Sequence, residues 1–539
     1  MLAGMSRPLV ALALWIVFAI AFCPHPRDER QVWFGTDQAL LLRSADAALA
    51  GDPPLVGAYS KGSLYHPGPL FLYVLAGVQA LTRGDVALTN AVVSWCQAAT
   101  LPILALFALR VTNSWLVALA LPLLIVFDFA FLFYVRIIWN VAIVLPALSL
   151  ALWLTWEAWE MPPRSAWLLP LLTAVLCFLG QAHLAYTPLA VALGIVVVVR
   201  CAIRGPASRW RWALLAAVVA LVCWAPALWD AFRNHGGNVA ALLEHFGRER
   251  QRHDLWTAWG TLQAIGWHGL PRLVPVVPML IVTTILIASA FWRSDERARG
   301  VRALAVILAV AWTMLLISIS RVPDAIDLYY LRPVTILFAV QFVGGAAGLL
   351  LWLRPRGLVR AVEVVMAVVV LAIVLPLARE EWVRFRTPAW NRYPLQEMRL
   401  VVRAVGLDLQ RVGTRPAVRV EFEPPDLEGT SASIRYLLEH EGIGLTGDPD
   451  APTYRVVIPP AGDAMPPAPD RRELVRTAKY RVERVDHGRP IAECPPMYPL
   501  CPFVPDQYIP RSTTTAGGTT PGVDCTMTSV ENGMFWRAG

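Results

Sequence analysis

The sequence predicts an all-α polytopic membrane protein with about eleven transmembrane helices, followed by a small C-terminal extracytoplasmic α/β domain. Three observations carry that expectation. The 539-residue chain is 56% hydrophobic and only 16% charged, against about 25% charged in an ordinary soluble protein. Its apolar residues fall in blocks about 20 residues long, the length that crosses the hydrocarbon core. Helices are the default there, because lipid offers no partner for a free backbone group. From about residue 380 onward the blocks end, and Pro, Gly and charge rise.

The expected spans are 8–23, 87–109, 115–134, 139–158, 166–182, 185–203, 211–230, 273–292, 302–320, 333–353 and 358–377. The first has no small-residue cleavage site ahead of Pro24, so it reads as a retained helix rather than a cleaved signal. Residues 68–82 are apolar but only about 15 long, which is short for a crossing. They read as an interfacial helix of the first outer loop, behind an amphipathic stretch that opens at Asp37. This placement fixes the sidedness of everything after it. With the N-terminus cytoplasmic, Arg7, Arg110, Arg164, Arg204, Arg209 and Arg211 face inside. So do Arg293, Arg297, Arg299 and Arg302, and then Arg354, Arg356 and Arg360, which is a positive-inside pattern. The outer face receives loop 24–86, the connection 136–140, the turn 181–183, loop 231–272, segment 321–332 and the C-terminal domain. The expected division is therefore a membrane domain, 1–379, and an extracytoplasmic domain, 380–539. The second has helical patterns at 395–411 and 431–441, strand patterns at 417–422, 454–458 and 480–485, and a Pro/Thr/Gly-rich tail.

The net charge of +8 comes almost wholly from Arg, since Lys61 and Lys479 are the only lysines. It lies mainly in short loops of one side, so it orients the chain and does not point to nucleic acid. The Arg-over-Lys bias, with abundant Ala and Val, is a compositional sign of a GC-rich bacterial genome. Cys23, Cys96, Cys177, Cys201 and Cys223 lie in or beside spans and read as apolar residues. Cys494, Cys501 and Cys525 lie in the tail, where two could pair in an oxidising compartment; the partners stay open. No phosphate-binding loop, dinucleotide fingerprint or zinc spacing occurs, so neither a soluble nucleotide donor nor ATP-driven transport is indicated.

Polar residues concentrate at the outer boundary. Asp37 either activates an acceptor hydroxyl beside a lipid-borne donor or simply serves a helix N-terminus. Asp46 and Asp52 read as solvated or turn residues, and Asp28 and Glu29 as exposed acids. His66-Pro67-Gly68-Pro69 forms a turn into the interfacial helix, with Tyr59, Lys61 and Tyr65 making a surface suited to sugar or phosphate. Arg136 and Asn140 lie where the third span emerges; the guanidinium either meets a phosphate or snorkels to headgroups. Gln181, His183 and Tyr186 occupy another outer turn. Asp230, Asn234 and Asn238 follow the seventh span, and Asp327, Tyr330 and Arg332 precede the tenth. Asp128 lies within the third span and reads as a structural ion pair or hydrogen bond.

The arrangement Asp37 … Asp52 … His66-Pro67 … Tyr73, set in an outer loop of a many-span body with an outer soluble tail, resembles the GT-C superfamily of glycosyltransferases. It is most similar in pattern to the lipid A aminoarabinose transferase and the protein O-mannosyltransferases. The resemblance has some specificity over residues 1–200 and rests on topology beyond. It implies transfer of a sugar from a polyprenyl-phosphate donor, with inversion and with Asp37 as base. His66, Lys61, Tyr65, Arg136, Asn140, Gln181, His183, Tyr330 and Arg332 would then serve donor phosphate and sugar. Asn140 stands where many relatives have an acid, which disfavours a divalent metal, because an amide is a poorer ligand for hard cations. His183 stands where Lys is common, so the two histidines are expected to make the phosphate site pH-sensitive.

The expected function is a bacterial plasma-membrane glycosyltransferase acting on a cell-envelope acceptor, with lipid-linked sugar and the bilayer as partners. An oligosaccharide ligase or polymerase using a pyrophosphate carrier, a lipid-linked-sugar transporter or flippase, and a non-catalytic scaffold are the alternatives. Few charges lie mid-span, which counts against a transport path.

Overall fold

The computed structural model describes residues 7–485 apart from 61–63, 127–128, 161–165, 205–208, 248–252, 261–275, 294–295, 323–332, 355–357, 413–416, 424–429, 449–450, 458–470, 478–479 and scattered positions between 362 and 392. Residues Met1–His487 form one compact unit, and Gly488–Gly539 form another that lies outside the described residues. The tail cysteines, Cys494, Cys501 and Cys525, fall in that second unit.

The chain is mostly helical. Helix α1 is Arg7–Phe22, α2 Thr36–Leu49 and α3 Leu70–Thr82. Helices α4 (Val86–Ala98) and α5 (Thr100–Thr112) join into one long apolar rod, Val86–Thr112. Then come α6 (Trp115–Val126), α7 (Phe129–Val135), α8 (Val144–Glu160), α9 (Leu168–Ala182), α10 (Thr187–Arg204) and α11 (Arg209–Arg233). Beyond these lie α12 (Gly237–Gly247), α13 (Val276–Ala288), α14 (Glu296–Ser320) and α15 (Pro333–Leu353). Among the described residues, five stretches are long and apolar enough to cross a bilayer: Val86–Thr112, Leu184–Ile203, Trp210–Arg233, Arg297–Ser320 and Val334–Leu353. The shorter apolar helices Leu9–Phe22, Val144–Trp159, Leu168–Ala182 and Leu280–Trp292 coincide with four more of the expected spans. The expected span 115–134 includes residues outside the described set, and half of 358–377 lies outside it.

Helix α15 sits deepest. Ile336, Leu337, Val340 and Val343 are fully buried, and its glycines let α13 come close. A Cβ on Gly348 would lie 2.2 Å from the backbone oxygen of Leu286, and one on Gly345 would lie 2.7 Å from Thr283 Cγ2. Small residues give membrane helices their close packing where lipid removes the hydrophobic drive. Gln341 ties the same helices by donating to Thr283 Oγ1 and Thr284 Oγ1, each at 3.1 Å, while accepting from Trp312 Nε1 at 2.8 Å.

Between α7 and α8 the chain runs from Arg136 to Ile143 without helix, yet most of it is buried. Such a segment is tolerated only where its backbone groups find partners. Three side-chain amides supply them. Asn90 Nδ2 donates to Arg136 O at 3.1 Å, Gln97 Nε2 to Ile137 O at 3.0 Å, and Gln38 Nε2 to Ile138 O at 3.1 Å. Gln38 also starts α2, because its Oε1 accepts from Gly35 N at 2.8 Å, the return half of a capping box. Gln38→Leu strips both bonds and leaves two backbone groups without them. The expected cost is about 1–3 kcal/mol for each buried orphan, read as a lower midpoint of thermal unfolding in detergent.

The C-terminal segment holds α16 (Leu395–Val412), α17 (Ser431–His440) and a four-stranded sheet. After the short strands β1 (Tyr59–Ser60) and β2 (Leu64–Tyr65) of the first loop come β3 (Arg419–Glu423), β4 (Thr453–Val457), β5 (Arg471–Arg476) and β6 (Arg481–Val485). The sheet order is β3-β4-β6-β5, with β3 and β4 parallel and the other pairs antiparallel. The two helices and three of these strands match the expected ones within a few residues. Strand β5 was not expected, since its Arg-Arg-Glu-Leu-Val-Arg sequence has no clean alternation.

This segment is fastened to the first loop. Trp33 bridges Pro394, Phe34 N donates to Tyr393 O at 2.9 Å, and Leu395 N donates to Val32 O at 3.1 Å. Asn391 Nδ2 donates to Arg30 O and Val32 O at 2.8 and 3.0 Å. Arg399 pairs with Glu29 and lies 3.7 Å from Asp85. Asp46, ahead of α3, and Asp85, behind it, thus both reach the C-terminal segment.

Candidate functional site

Asp37 lies in the first turn of α2 and is exposed. The helix dipole favours an acid at that position, and exposure leaves the carboxylate open to water and solutes. Its neighbour Gln38 locks the turn to the 136–138 segment. The side chain of Arg136 is buried and donates to Gln31 Oε1, so it neither snorkels nor lies on the surface. Asn140 is buried too and donates to Ala182 O at 2.8 Å, tying that segment to the end of α9.

The first-loop hairpin carries the aromatic pair. Tyr59 and Tyr65 are cross-strand partners, both exposed, with rings edge-to-face at 5.8 Å. Strand β2 is gripped by Asn238, which accepts from Tyr65 N at 3.3 Å and donates to Tyr65 O at 3.0 Å. Asn238 sits at the start of α12, held by its own backbone N–H donating to the buried Asp230 at 2.9 Å. Asn234 Nδ2 donates to the other carboxylate oxygen at 2.8 Å. The intervening His235, Gly236 and Gly237 all have positive φ. A Cβ on Gly237 would fall 2.2 Å from Asp230 Oδ2, so the turn needs glycine there.

Behind the hairpin, the rings of His66 and His183 meet with centroids 4.6 Å apart and planes tilted by 38°. Both are buried. His66 Nδ1 accepts from Leu184 N at 3.3 Å and His183 Nδ1 accepts from Ala185 N at 3.2 Å. An Nδ1 that accepts cannot carry the proton, so each neutral ring is protonated at Nε2. Burial pushes His66 down to about 4. Burial first, and then the neighbouring His66, push His183 well below the usual imidazole range. Burial thus disfavours the charged form of both rings, which runs against the pH sensitivity expected of them at the phosphate site. A pH–activity profile should show no inflection from them between about pH 5.5 and 8. Linkage has the opposite sign for folding. The unfolded state binds protons near pH 6.5 that the folded state refuses, so stability falls as pH drops below that value.

Gln181 is fully buried and used at both ends. Its Oε1 accepts from Leu70 N at 3.4 Å, and its Nε2 donates to Cys223 O at 2.8 Å. It pins the start of α3 to α9 and α11. A Cβ on Gly68 would lie 2.2 Å from Gln181 Oε1. Gly68→Ala should displace the turn and cost about 1–3 kcal/mol by overpacking, measured as a loss of thermal stability.

The structure thus brings His66 and His183 into contact, and it ties Arg136, Asn140 and Gln181 to backbone or side chains around them. Lys61, Asp128, Asp327, Tyr330 and Arg332 lie outside the described residues. Asp46 departs from its expected solvated role, being half-buried between α3 and α17. Gln31, Gln38, Asn90 and Gln97 went unread in the sequence. The available signal was amides at 90 and 97, two helical turns apart on one face of an apolar span. Among the described residues, no three His, Cys, Asp or Glu side chains gather as a metal site would require.

No family model matches the sequence, and no curated protein matches it. Solved structures do. The crystal structure of ArnT from Cupriavidus metallidurans bound to undecaprenyl phosphate aligns with a TM-score of 0.53 at 14% identity, over 89% of this chain and 97% of that one. ArnT from the same organism in the apo state aligns with a TM-score of 0.50, at the same identity and coverage. The chain therefore shares the fold of these ArnT structures over most of its length.

Proposed function

We propose that the protein is a bacterial plasma-membrane glycosyltransferase. It moves a sugar from a polyprenyl-phosphate donor to an extracytoplasmic acceptor, which is a cell-envelope glycan, lipid or protein. The observation that carries this reading is the ArnT-like fold over nearly the whole chain, with an exposed acid, Asp37, opening the first helix of the loop after α1. In this reading loop 24–86 and the domain 380–539 face outside, and 1–379 is the membrane domain. Their direct contacts favour placing loop and C-terminal segment on one side. The acids flanking α3 both reach that segment, which favours α3 as an interfacial helix. At about 1.5 Å per residue it is about 20 Å long, short of the roughly 30 Å hydrocarbon core.

The chemistry asked of the protein is modest, because a lipid phosphate is already a good leaving group. Asp37 takes the proton of the acceptor hydroxyl, and that oxygen attacks the anomeric carbon. The carbon–oxygen bond to the polyprenyl phosphate breaks, and the configuration inverts. Holding donor and acceptor in line supplies much of the remaining rate. The buried His66 and His183 back the hairpin, and Tyr59 and Tyr65 offer exposed faces to a sugar.

The test is profiling of lipid-linked sugars in a strain lacking the protein, paired with transfer by the purified protein from the sugar-phosphate lipid that accumulates. Accumulation of one polyprenyl-phosphate sugar, and its consumption in vitro with a single-sugar mass increment on the acceptor, supports the reading. A block-sized increment, or no change in the lipid pool, overturns it.

A further inference from the structure

The C-terminal segment meets α2 through a carboxylate that the proposed reaction does not use. Asp46 accepts from Gln79 Nε2 of α3 at 2.9 Å and from the Tyr436 hydroxyl of α17 at 2.9 Å. Tyr436 is 3% exposed, its ring set against Phe34 at 5.9 Å and stacked on His440 at 5.9 Å. Three elements from distant parts of the sequence thus converge on one side chain. The Oε1 of Gln79 is buried without a hydrogen bond, so the donors of that amide are what hold it. Two other charged groups face the carboxylate. Arg43 of α2 is paired with Glu439, and His440 lies on α17.

We infer that Tyr436 is a positioning residue that fixes α2, and with it Asp37, from the C-terminal side. Without its hydroxyl, Asp46 keeps one short donor bond, and the far half of α2 loses its buried tie to α17 and keeps the more exposed Arg43–Glu439 pair. The N-terminal half is already set by Gln38 and by the pairing of 32–34 with 393–395, so the two contacts together define the helix axis. The bearing on catalysis rests on the transferase reading; the fastening of α2 does not.

A charged acceptor gives the device a signature that packing alone lacks. Burial raises the Asp46 carboxyl above its ordinary range, against the opposing pull of Tyr436, His440, Gln79 and Arg43. A folded value above the unfolded one means that Asp46 contributes most to stability at low pH, and that this contribution is lost as pH rises through the folded value. The Tyr436 hydroxyl matters most in that upper range, because a hydrogen bond to a carboxylate is about twice as strong as one to a neutral acceptor.

The experiment compares the full chain with Tyr436→Phe in detergent, by thermal unfolding across about pH 4 to 8 and by amide exchange of residues 36–49. Tyr436→Phe keeps the ring contacts and removes only the hydroxyl. Expected are a midpoint several degrees lower near pH 8, a gap that narrows on acidification, and faster exchange in 36–49. A gap independent of pH, or unchanged exchange there, overturns the inference. Asp46→Asn, which keeps an acceptor and loses the charge, serves where Tyr436→Phe does not fold: its own midpoint difference from the full chain should change across the same pH range, and a difference independent of pH overturns the inference. None of these readouts involves sugar transfer, so the outcome is separable from that of the transferase test.

Discussion

Replacing Asp37 by Asn is expected to lower sugar transfer by about a hundred- to ten-thousand-fold, the range supplied by a general base, with the melting midpoint nearly unchanged. The two effects can be ranked beforehand. Asn is nearly isosteric and loses only the charge at the first turn of α2, where the helix dipole is worth about 0.3–1 kcal/mol. The position is exposed, so no cavity is created. A large loss of turnover beside a small loss of stability marks the carboxylate as chemical. Near-normal turnover would reduce Asp37 to a helix-end acid and remove the base from the proposed mechanism. The assay is single-turnover transfer with the accumulated lipid donor, read beside the melting curve of the same preparation.

Gly348→Val is expected to have the largest effect on folding. The added Cβ would fall 2.2 Å from Leu286 O, a backbone atom that no side-chain rotation can move aside. Helices α13 and α15 would have to separate, breaking the Gln341 bonds to Thr283 and Thr284. Overpacking alone costs about 1–3 kcal/mol, and the lost bonds add to it. A marked fall in the yield of monodisperse protein, with a lower midpoint in what remains, is the expected result. Gly77→Ala on α3 is the control. A Cβ there meets nothing within 4 Å, and replacing a helical Gly by Ala stabilises by about 0.5–1 kcal/mol. If both variants melt alike, the close approach of α13 and α15 is not a constraint.

The helical body could be read from the chain because lipid imposes one strong rule. A run such as 333–353 must satisfy its backbone internally, so length and hydropathy suffice to find it. The C-terminal helices 395–411 and 431–441 were readable from periodicity, with ends within one residue of those observed. Asp37 could be placed at a helix start because the acid precedes an amphipathic run. What could not be read were contacts between segments far apart. Asn391 caps carbonyls at 30 and 32, and Tyr436 meets Asp46, yet nothing local in either stretch announces the other. The amides at 38, 90 and 97 went unread, because their purpose lies in carbonyls of a segment that is irregular only in three dimensions. The two histidines were legible as a pair at one boundary. Their charge state was not, since it follows from burial and from backbone N–H groups aimed at Nδ1.

The bond between Tyr436 and Asp46 joins residues 390 positions apart. A ribosome adding about 5–20 residues per second releases the first loop on the order of tens of seconds before its partner helix exists. During that interval Val32, Phe34 and the buried face of α2 lack their cover, and the nascent chain offers them to proteases or holding chaperones. Shortening the protein from its C-terminal end would therefore injure its beginning: loss of α17 leaves every span in place and still yields a molecule whose earliest loop never finishes folding.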